Sequence, residues 1–321
     1  MARELREAGI DARLWRPWEQ RLSDAQGMHL FGSEPEHLSV VEAARRQGLP
    51  VALSPIAWFA LGDCLREPRP WSWRLAAAGK FLARASLPRL PSWRRRLYHA
   101  VDLLLPNSQA EAEQLVRYFH VPPERIRVVP NGAELRFAHA DAEPFARLAG
   151  GQGFALYAGR IEPRKNQLAF LKAMRGTGVR SVVLGDVVPG HESYLDACRR
   201  AADENVRFVG RLPHDDPLLA SAYAACGCLA LCSWYETPGL VALEAGMSGV
   251  PLVLPRGGCA AEYFGELAQY VHPHDLRGIR AAVLAALQQG RNPDLARLVQ
   301  TRYTWRQAAQ VTREAYAQLL S

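Results

Sequence analysis

The chain runs to 321 residues, 49% hydrophobic and 22% charged, with a formal net charge of +7. This length suits two domains of ordinary size, and the composition excludes a disordered or fibrous chain. No apolar run approaches the ~18 residues that a membrane span needs, and six cysteines behind no hydrophobic leader are expected to be reduced thiols of a cytosolic protein.

Residues 1–9 read as the second half of a helix and residues 11–16 as the strand after it. A doubly wound domain opens on a strand near the middle of its sheet, and losing it leaves interior backbone groups unpaired. The expectation is an N-terminal domain lacking its first strand, with roughly 20–25 residues upstream to supply it. Residues 28–32 predict a strand, and Ser33 with Glu36 forms a capping box for a helix that Gly48 ends. Residues 51–53 and 102–105 predict further strands, and Ser108 with Glu111 a second capping box. Residues 127–130 read as a short strand closed by the Asn131-Gly132 turn.

The charge surplus sits between residues 65 and 99, where nine Arg and Lys residues face Glu67 alone. Trp71, Trp73, Phe81, Leu82, Leu87, Leu90 and Trp93 interleave with them. Basic, aromatic and aliphatic residues mixed in this way suit an interface with an anionic membrane. A nucleic-acid patch and a solvated helix pair with its aromatics in the core are the alternatives.

From residue 134 to 153 the pattern lapses into Ala, Gly, Asp and Pro, which reads as a linker. Apolar strands resume at 154–158, 181–184, 206–209, 229–232 and 252–254, and a terminal helix starts at Thr304, with Gln307 completing a cap. The expected organisation is an α/β protein of two doubly wound domains facing a cleft. Their bounds are 1–135, with the terminal helix 304–321 packing back on it, a linker 136–153, and 154–303. Cys226, Cys228 and Cys232 lie close together, but their Ala, Leu and Gly neighbours suit buried small residues better than a metal site.

Two stretches carry chemistry. In the first, a strand runs to Gly159, Arg160 stands at its carboxyl end, and Lys165 follows in the opening of a helix. Two cations there would meet a diphosphate, one as a fork and one as a point charge. No dinucleotide fingerprint or phosphate-loop lysine motif is present: Gly150, Gly151 and Gly153 precede the strand instead of following it. In the second, Glu236 and Glu244 stand eight residues apart across a strand-to-helix junction. Thr237 predicts the N-cap and Pro238 the first helical position, leaving amides and a positive dipole end for a phosphate. At ~1.5 Å rise per residue the carboxylates would lie roughly 10–12 Å apart. That exceeds the roughly 5–9.5 Å of a glycosidase pair, so the two acids grip different parts of one elongated ligand. Two surface glutamates on an ordinary amphipathic helix are the plain alternative.

Taken together, GRIEPRKN from Gly159, VRFVGRLP from Val206 and WYETPGLVALEAGMSGVPLV from Trp234 resemble glycosyltransferase family 4, retaining enzymes of the GT-B fold. DLLLPNSQAEAEQL and IRVVPNGAE in the first half are similar to that family's elements as well. The resemblance implies that Arg160 and Lys165 hold the donor diphosphate and that Glu236 contacts the donor sugar. It also implies that the Gly239 and Leu240 amides bind phosphate beside Thr237, that Glu244 binds the ribose, and that Arg211 and Leu212 border the base. Three departures stand out. Thr237-Pro238-Gly239 replaces the usual Gly-Phe-Gly, and proline removes one donor amide. The first strand and its glycine-bearing loop are absent. Where many members place a histidine, Ser54-Pro55-Ile56-Ala57 follows the second strand, so His29 and Gly32, at the end of the preceding strand, and Asn131 become the acceptor-side candidates, His29 with a structural role as its plainer reading.

The expected function is a retaining glycosyltransferase that needs no metal or cofactor, takes a nucleotide-diphosphate sugar as co-substrate and serves a lipid-linked or envelope glycan acceptor. It would work in the cytoplasm on an anionic membrane surface, with no nucleic acid as partner. The rivals are a sugar-nucleotide epimerase or hydrolase on the same fold, and a non-catalytic sugar-nucleotide-binding protein.

Overall fold

Short apolar runs separated by helices fold here into two α/β units, Met1–Asn131 with Trp305–Ser321, and Gly132–Thr304. The structure is a computed structural model and describes residues 1–59, 71–86, 92–237 and 239–320.

The first unit is built from α1 (Ala2–Glu7), β1 (Met28–Phe31), α2 (His37–Arg46), β2 (Val51–Ser54), α3 (Trp71–Ser86), α4 (Trp93–Ala100), β3 (Leu103–Leu104) and α5 (Gln109–Phe119). Its strands form a parallel sheet in the order β1-β2-β3. Side chains alternate across a strand. Val51, Leu53 and Leu104 therefore face a core with Val41, Leu97 and Leu115, while Ala52, Leu103 and Leu105 face the other side.

Four local expectations fail in this unit. Residues 11–16 form no strand: Arg13 pairs with Asp11, Arg16 with Glu19, and Leu14 lies exposed, so no neighbouring ladder holds the backbone. Ser33 does not cap α2, because its hydroxyl bonds to the Pro55 carbonyl and the Tyr98 hydroxyl; the helix starts at His37 after Glu36. Ser108 does cap α5 by accepting from the Glu111 amide, but the Glu111 carboxylate turns to the Asn107 and Ala57 amides. Residues 127–130 bond to the Leu104 and Pro106 carbonyls through Arg127 and Val129 without becoming a strand.

The second unit comprises α6 (Glu143–Ala149), β4 (Ala155–Ala158), α7 (Gln167–Met174), β5 (Ser181–Leu184), α8 (Glu192–Ala201), β6 (Val206–Gly210) and α9 (Pro217–Ala225). It continues through β7 (Cys228–Ala230), α10 (Leu240–Gly246), β8 (Leu252–Pro255), α11 (Ala260–Phe264), β9 (Gln269–Val271), α12 (Leu276–Gln289) and α13 (Pro293–Arg302). All its strand pairs are parallel, in the order β6-β5-β4-β7-β8-β9. The order reverses between β4 and β7, and in such sheets ligands bind beyond the carboxyl ends of the strands at that point. The chain then returns with α14 (Trp305–Leu320), whose Ala308 and Ala315 pack on the second face of the first unit's sheet.

The stretch read as a linker is packed structure. Leu135–Phe137 makes a 3-10 turn, α6 lies against α9, and Phe137 and Phe145 are fully buried. Its small and polar residues hid two aromatic anchors spaced to reach one core.

The basic, aromatic segment divides. Arg66, Glu67, Arg69, Leu87, Arg89 and Leu90 lie outside the described residues. In α3, Trp71 is 70% exposed, and Trp73 and Leu75 are exposed with it. Trp93 instead packs against the first unit's core, with the Arg94 guanidinium over its ring at 4.4 Å. No helix among the described residues is long and apolar enough to cross a membrane.

Candidate functional site

The turn after β4 is where the second unit gathers its charges. Asn166 precedes α7 with a left-handed backbone, φ 62°, and its amide donates to the Cys232 carbonyl (2.9 Å) and the Pro273 carbonyl (2.7 Å). One side chain thus ties this turn to the segments that leave β7 and β9. Tyr157 adds a second tie: its hydroxyl bonds to the Lys165 carbonyl and accepts from the Cys232 amide.

So held, Lys165 lies just before the helix instead of within it and points at Glu236. Its Nζ donates to Glu236 Oε1 at 2.7 Å, and the two side chains are only 12% and 5% exposed. Burial pulls the Lys165 ammonium below its ordinary range, against the opposing pull of Glu236. Ser233 Oγ donates to the same carboxylate oxygen at 2.5 Å. The Glu236 backbone is gripped too: its amide bonds to the Gly257 carbonyl and its carbonyl accepts from the Cys259 amide. Glycine at 258 is required for that contact. With φ at 101°, a Cβ there would stand 1.9 Å from the Glu236 carbonyl oxygen.

Thr237 is half-buried and does not cap α10; Gly239 does, at φ 79°, and the helix runs seven residues from Leu240. A Cβ on Gly239 would touch Glu236 Oε2 at 3.4 Å, so the carboxylate lies close under the chain turn. Pro238 lies outside the described residues. Glu244, on the buried side of α10, accepts from the Tyr223 hydroxyl at 2.8 Å, and burial raises its carboxyl above the ordinary range despite that bond.

Arg160 is less confined. Its side chain is 68% exposed and reaches Glu162 at 3.3 Å, a carboxylate it shares with Arg164. Arg211 is exposed, with its amide fixed by Asp186, and Leu212 beside it is half-buried. Lys165, Glu236 and Gly239 are thus brought together, whereas Arg160 and Arg211 stand out toward solvent. Asn166, Ser233, Tyr157, Tyr223 and Gly258 were missed by sequence reasoning; of these only the Gly257-Gly258 pair after an apolar strand carried a local signal. Among the described residues, no three His, Cys, Asp or Glu side chains converge to hold a metal ion.

In the first unit, His29 lies inside β1 and not at its end. Its ring nitrogens meet the Tyr316 hydroxyl (2.6 Å) and the Ser54 hydroxyl (2.9 Å), and burial lowers its pKa to about 3. Gly32 directly follows β1 at φ 87° and bonds to the Ser54 carbonyl. Asn131, half-buried, is the last residue of this unit's long segment.

Comparison with known proteins fits this geometry. Residues 141–305 match the family profile described as glycosyl transferases group 1, and residues 1–137 that of Glycosyltransferase Family 4. The D-inositol 3-phosphate glycosyltransferase of Mycolicibacterium paratuberculosis is 35% identical over 159 residues, 47% of this chain and 36% of that protein. The O-antigen chain mannosyltransferase B of Escherichia coli is 27% identical over 241 residues, 69% of this chain and 63% of that protein. The chain therefore spans about a third to three-fifths of the length of these relatives. Among solved structures, sucrose-phosphate synthase from Thermosynechococcus elongatus superposes with a TM-score of 0.72 at 20% identity, covering 92% of this chain and 74% of that one. Anabaena HepE, in complex with UDP and glucose, does so at 0.66 and 16%, covering 93% and 78%. At these identities the likeness shows the fold, which is that of the GT-B glycosyltransferases.

Proposed function

This chain belongs to the group 1 glycosyltransferases of family 4, and on that premise we propose that it moves a sugar, with retention and without a metal, from a nucleoside diphosphate to an acceptor hydroxyl. The observation that carries the reading is the buried Lys165–Glu236 pair at the carboxyl ends of β4 and β7, where the strand order reverses. Lys165, with Arg160 at the rim, neutralises the diphosphate, and the Gly239 and Leu240 amides beside Thr237 take a phosphate oxygen. Glu236 orients the sugar from a fixed backbone. Glu244 accepts from the ribose, and Arg211 and Leu212 border the base. The leaving phosphate assists removal of the acceptor proton, so the protein supplies position and fixed charge.

UDP as the donor's nucleotide is supported by the HepE complex. A lipid-linked or envelope glycan acceptor at an anionic membrane surface is supported by exposed Trp71 and Trp73 in a basic segment, and by the O-antigen chain in the name of the Escherichia coli relative. Gly32 and Asn131 serve the acceptor side, and His29, bonded at both nitrogens, supports the strand ends there.

The test is to incubate the protein with UDP- and GDP-sugars and a panel of lipid-linked acceptors, follow nucleotide release, and read the product's anomeric configuration by NMR. Transfer with retained configuration, unaffected by EDTA, is expected. Inverted product, or turnover that requires added magnesium or manganese, overturns the reading.

A further inference from the structure

Ser233 is fully buried, and its neighbours fix it from both sides. The Cys232 amide donates to the Tyr157 hydroxyl at 3.2 Å, and the Cys232 carbonyl accepts from the Asn166 side chain at 2.9 Å. On the other side, the Trp234 amide donates to the Arg164 carbonyl at 3.1 Å. The fold therefore decides where the Ser233 hydroxyl stands, three residues before Glu236. It donates to Glu236 Oε1 at 2.5 Å, and Lys165 Nζ donates to the same oxygen at 2.7 Å.

A carboxylate oxygen offers two lone-pair sites. Those of Oε1 are taken, whereas among the described residues no donor reaches Oε2. That second oxygen lies under the turn at Gly239, where an added Cβ would stand 3.4 Å from it. The Glu236 side chain is buried, and a buried acceptor without a partner is costly. A ligand hydroxyl is the neutral donor that relieves it.

The two bonds to Oε1 differ in kind. The Lys165 ammonium rides on a flexible four-carbon stem and, in the proposed reaction, serves the diphosphate as well. Ser233 carries a single short rotor on a fixed backbone, and its one hydrogen is spent on Oε1. It keeps the carboxylate oriented when the ammonium is drawn toward phosphate.

We infer that Ser233 is a positioning residue: it holds Glu236 Oε1 and thereby assigns Oε2 as the oxygen that accepts from a hydroxyl of the donor sugar. This rests on the proposed role of Glu236 as the sugar's partner, and adds to it which oxygen reads the sugar and what fixes that oxygen.

The experiment is calorimetry of the 321-residue protein with UDP, UDP-glucose and the 3-, 4- and 6-deoxy forms of UDP-glucose, and with the corresponding GDP and GDP-mannose set if GDP-mannose binds more tightly. Wild type should bind at least one deoxy donor about tenfold or more weakly than its parent, the scale of a hydrogen bond to a charged group. Ser233→Ala should shrink that penalty to about threefold or less, while binding the free nucleoside diphosphate as wild type does. Glu236→Gln should shrink it too. A dissociation constant does not depend on how much of a preparation is folded, so a less stable variant still reports. A penalty lost in Glu236→Gln but undiminished in Ser233→Ala shows that Ser233 does not position the carboxylate, and the inference is wrong. It is equally wrong if Ser233→Ala weakens the free diphosphate as much as the intact donor, because the hydroxyl then only braces the segment. If neither donor binds, if wild type holds every deoxy form as tightly as its parent, or if the penalty survives Glu236→Gln, the parent reading of Glu236 fails and takes this one with it.

Discussion

Lys165 Nζ donates to Glu236 Oε1 at 2.7 Å, and this one bond joins the turn after β4 to the segment that follows β7. Each partner would be expensive to bury alone; together they form a buried, fixed dipole at the point where the sheet reverses its order. Glu236→Gln keeps an oxygen for Ser233 and removes the charge. We expect it to cut turnover by about 10²-fold or more, with affinity for the free nucleoside diphosphate held within about twofold, because the partner proposed for it is the sugar. Lys165→Ala should reduce kcat/KM by about 10²–10³, the range for losing a preorganised electrostatic donor. Arg160→Ala should have the smaller effect, since its exposed head already shares Glu162 with Arg164. Steady-state kinetics beside calorimetry checks all three, and equal losses of affinity and turnover in Glu236→Gln would reassign that residue to the nucleotide.

Gly258 supports Glu236 from below. A Cβ at Gly258 would meet the Glu236 carbonyl oxygen at 1.9 Å and its nitrogen at 2.6 Å, so Gly258→Ala must displace the Glu236 segment. Gly265→Ala is the control: its φ of 50° is also unfavourable, but nothing lies within 4 Å of the added carbon. We expect Gly265→Ala to lower stability by about 1–3 kcal/mol from backbone strain alone and to keep full turnover per folded molecule. Gly258→Ala should lose most activity even at temperatures where it is folded. Matching activities for the two variants would remove Gly258 from the site.

Two buried groups in the first unit set opposing pH slopes. Glu111 is pushed up to about 7 from its ordinary 4.5, chiefly by burial and against hydrogen bonds from the Ala57 and Asn107 amides. Its contribution to stability is full below pH 4.5 and is lost as pH rises through 7. His29 is lowered from 6.5 to about 3 by burial. Its contribution is present above pH 6.5 and is lost as pH falls toward 3. Between pH 4.5 and 6.5 the two oppose each other. Glu111→Gln should therefore unmask the His29 slope, with stability falling as pH drops from 6.5, by at most about 1.4 kcal/mol per pH unit. Urea melts of variant and wild type across that window measure it; parallel curves would show that Glu111 does not titrate there.

The tryptophans of the basic segment no longer form one group. Sedimentation with anionic vesicles should weaken as salt rises, and Trp71→Ser and Trp73→Ser should reduce it while leaving the melting temperature unchanged. Trp93→Ser should lower stability by about 3 kcal/mol or more, as for truncation of a packed aromatic. Vesicle binding that survives loss of both exposed tryptophans would leave the membrane surface without its anchor.

Strands β1 to β8, their parallel pairing and the two acids eight residues apart were legible in the sequence, because each depends on residues within a few positions of one another; β9 was not, and residues 11–16 and 127–130 read as strands without forming them. Apolar runs of four or five residues bounded by turn signals suit short buried strands, and helical stretches between them favour parallel crossovers. The pairing of Lys165 with Glu236, 71 residues apart, was not legible as a contact. It follows from β4 lying beside β7, a neighbourhood that the order of strands in the finished sheet decides. The cap of α10 moved from Thr237 to Gly239 for a similar reason: the chain there turns over the Glu236 side chain, and only a left-handed glycine follows that path. The supposed linker shows the converse. Its composition suggested open chain, yet Phe137 and Phe145 found a core supplied by α9, more than 70 residues later. Local chemistry determined which elements form and which residues carry charge, whereas burial across the sheet decided which charges meet, because only the folded interior makes an unpaired one costly.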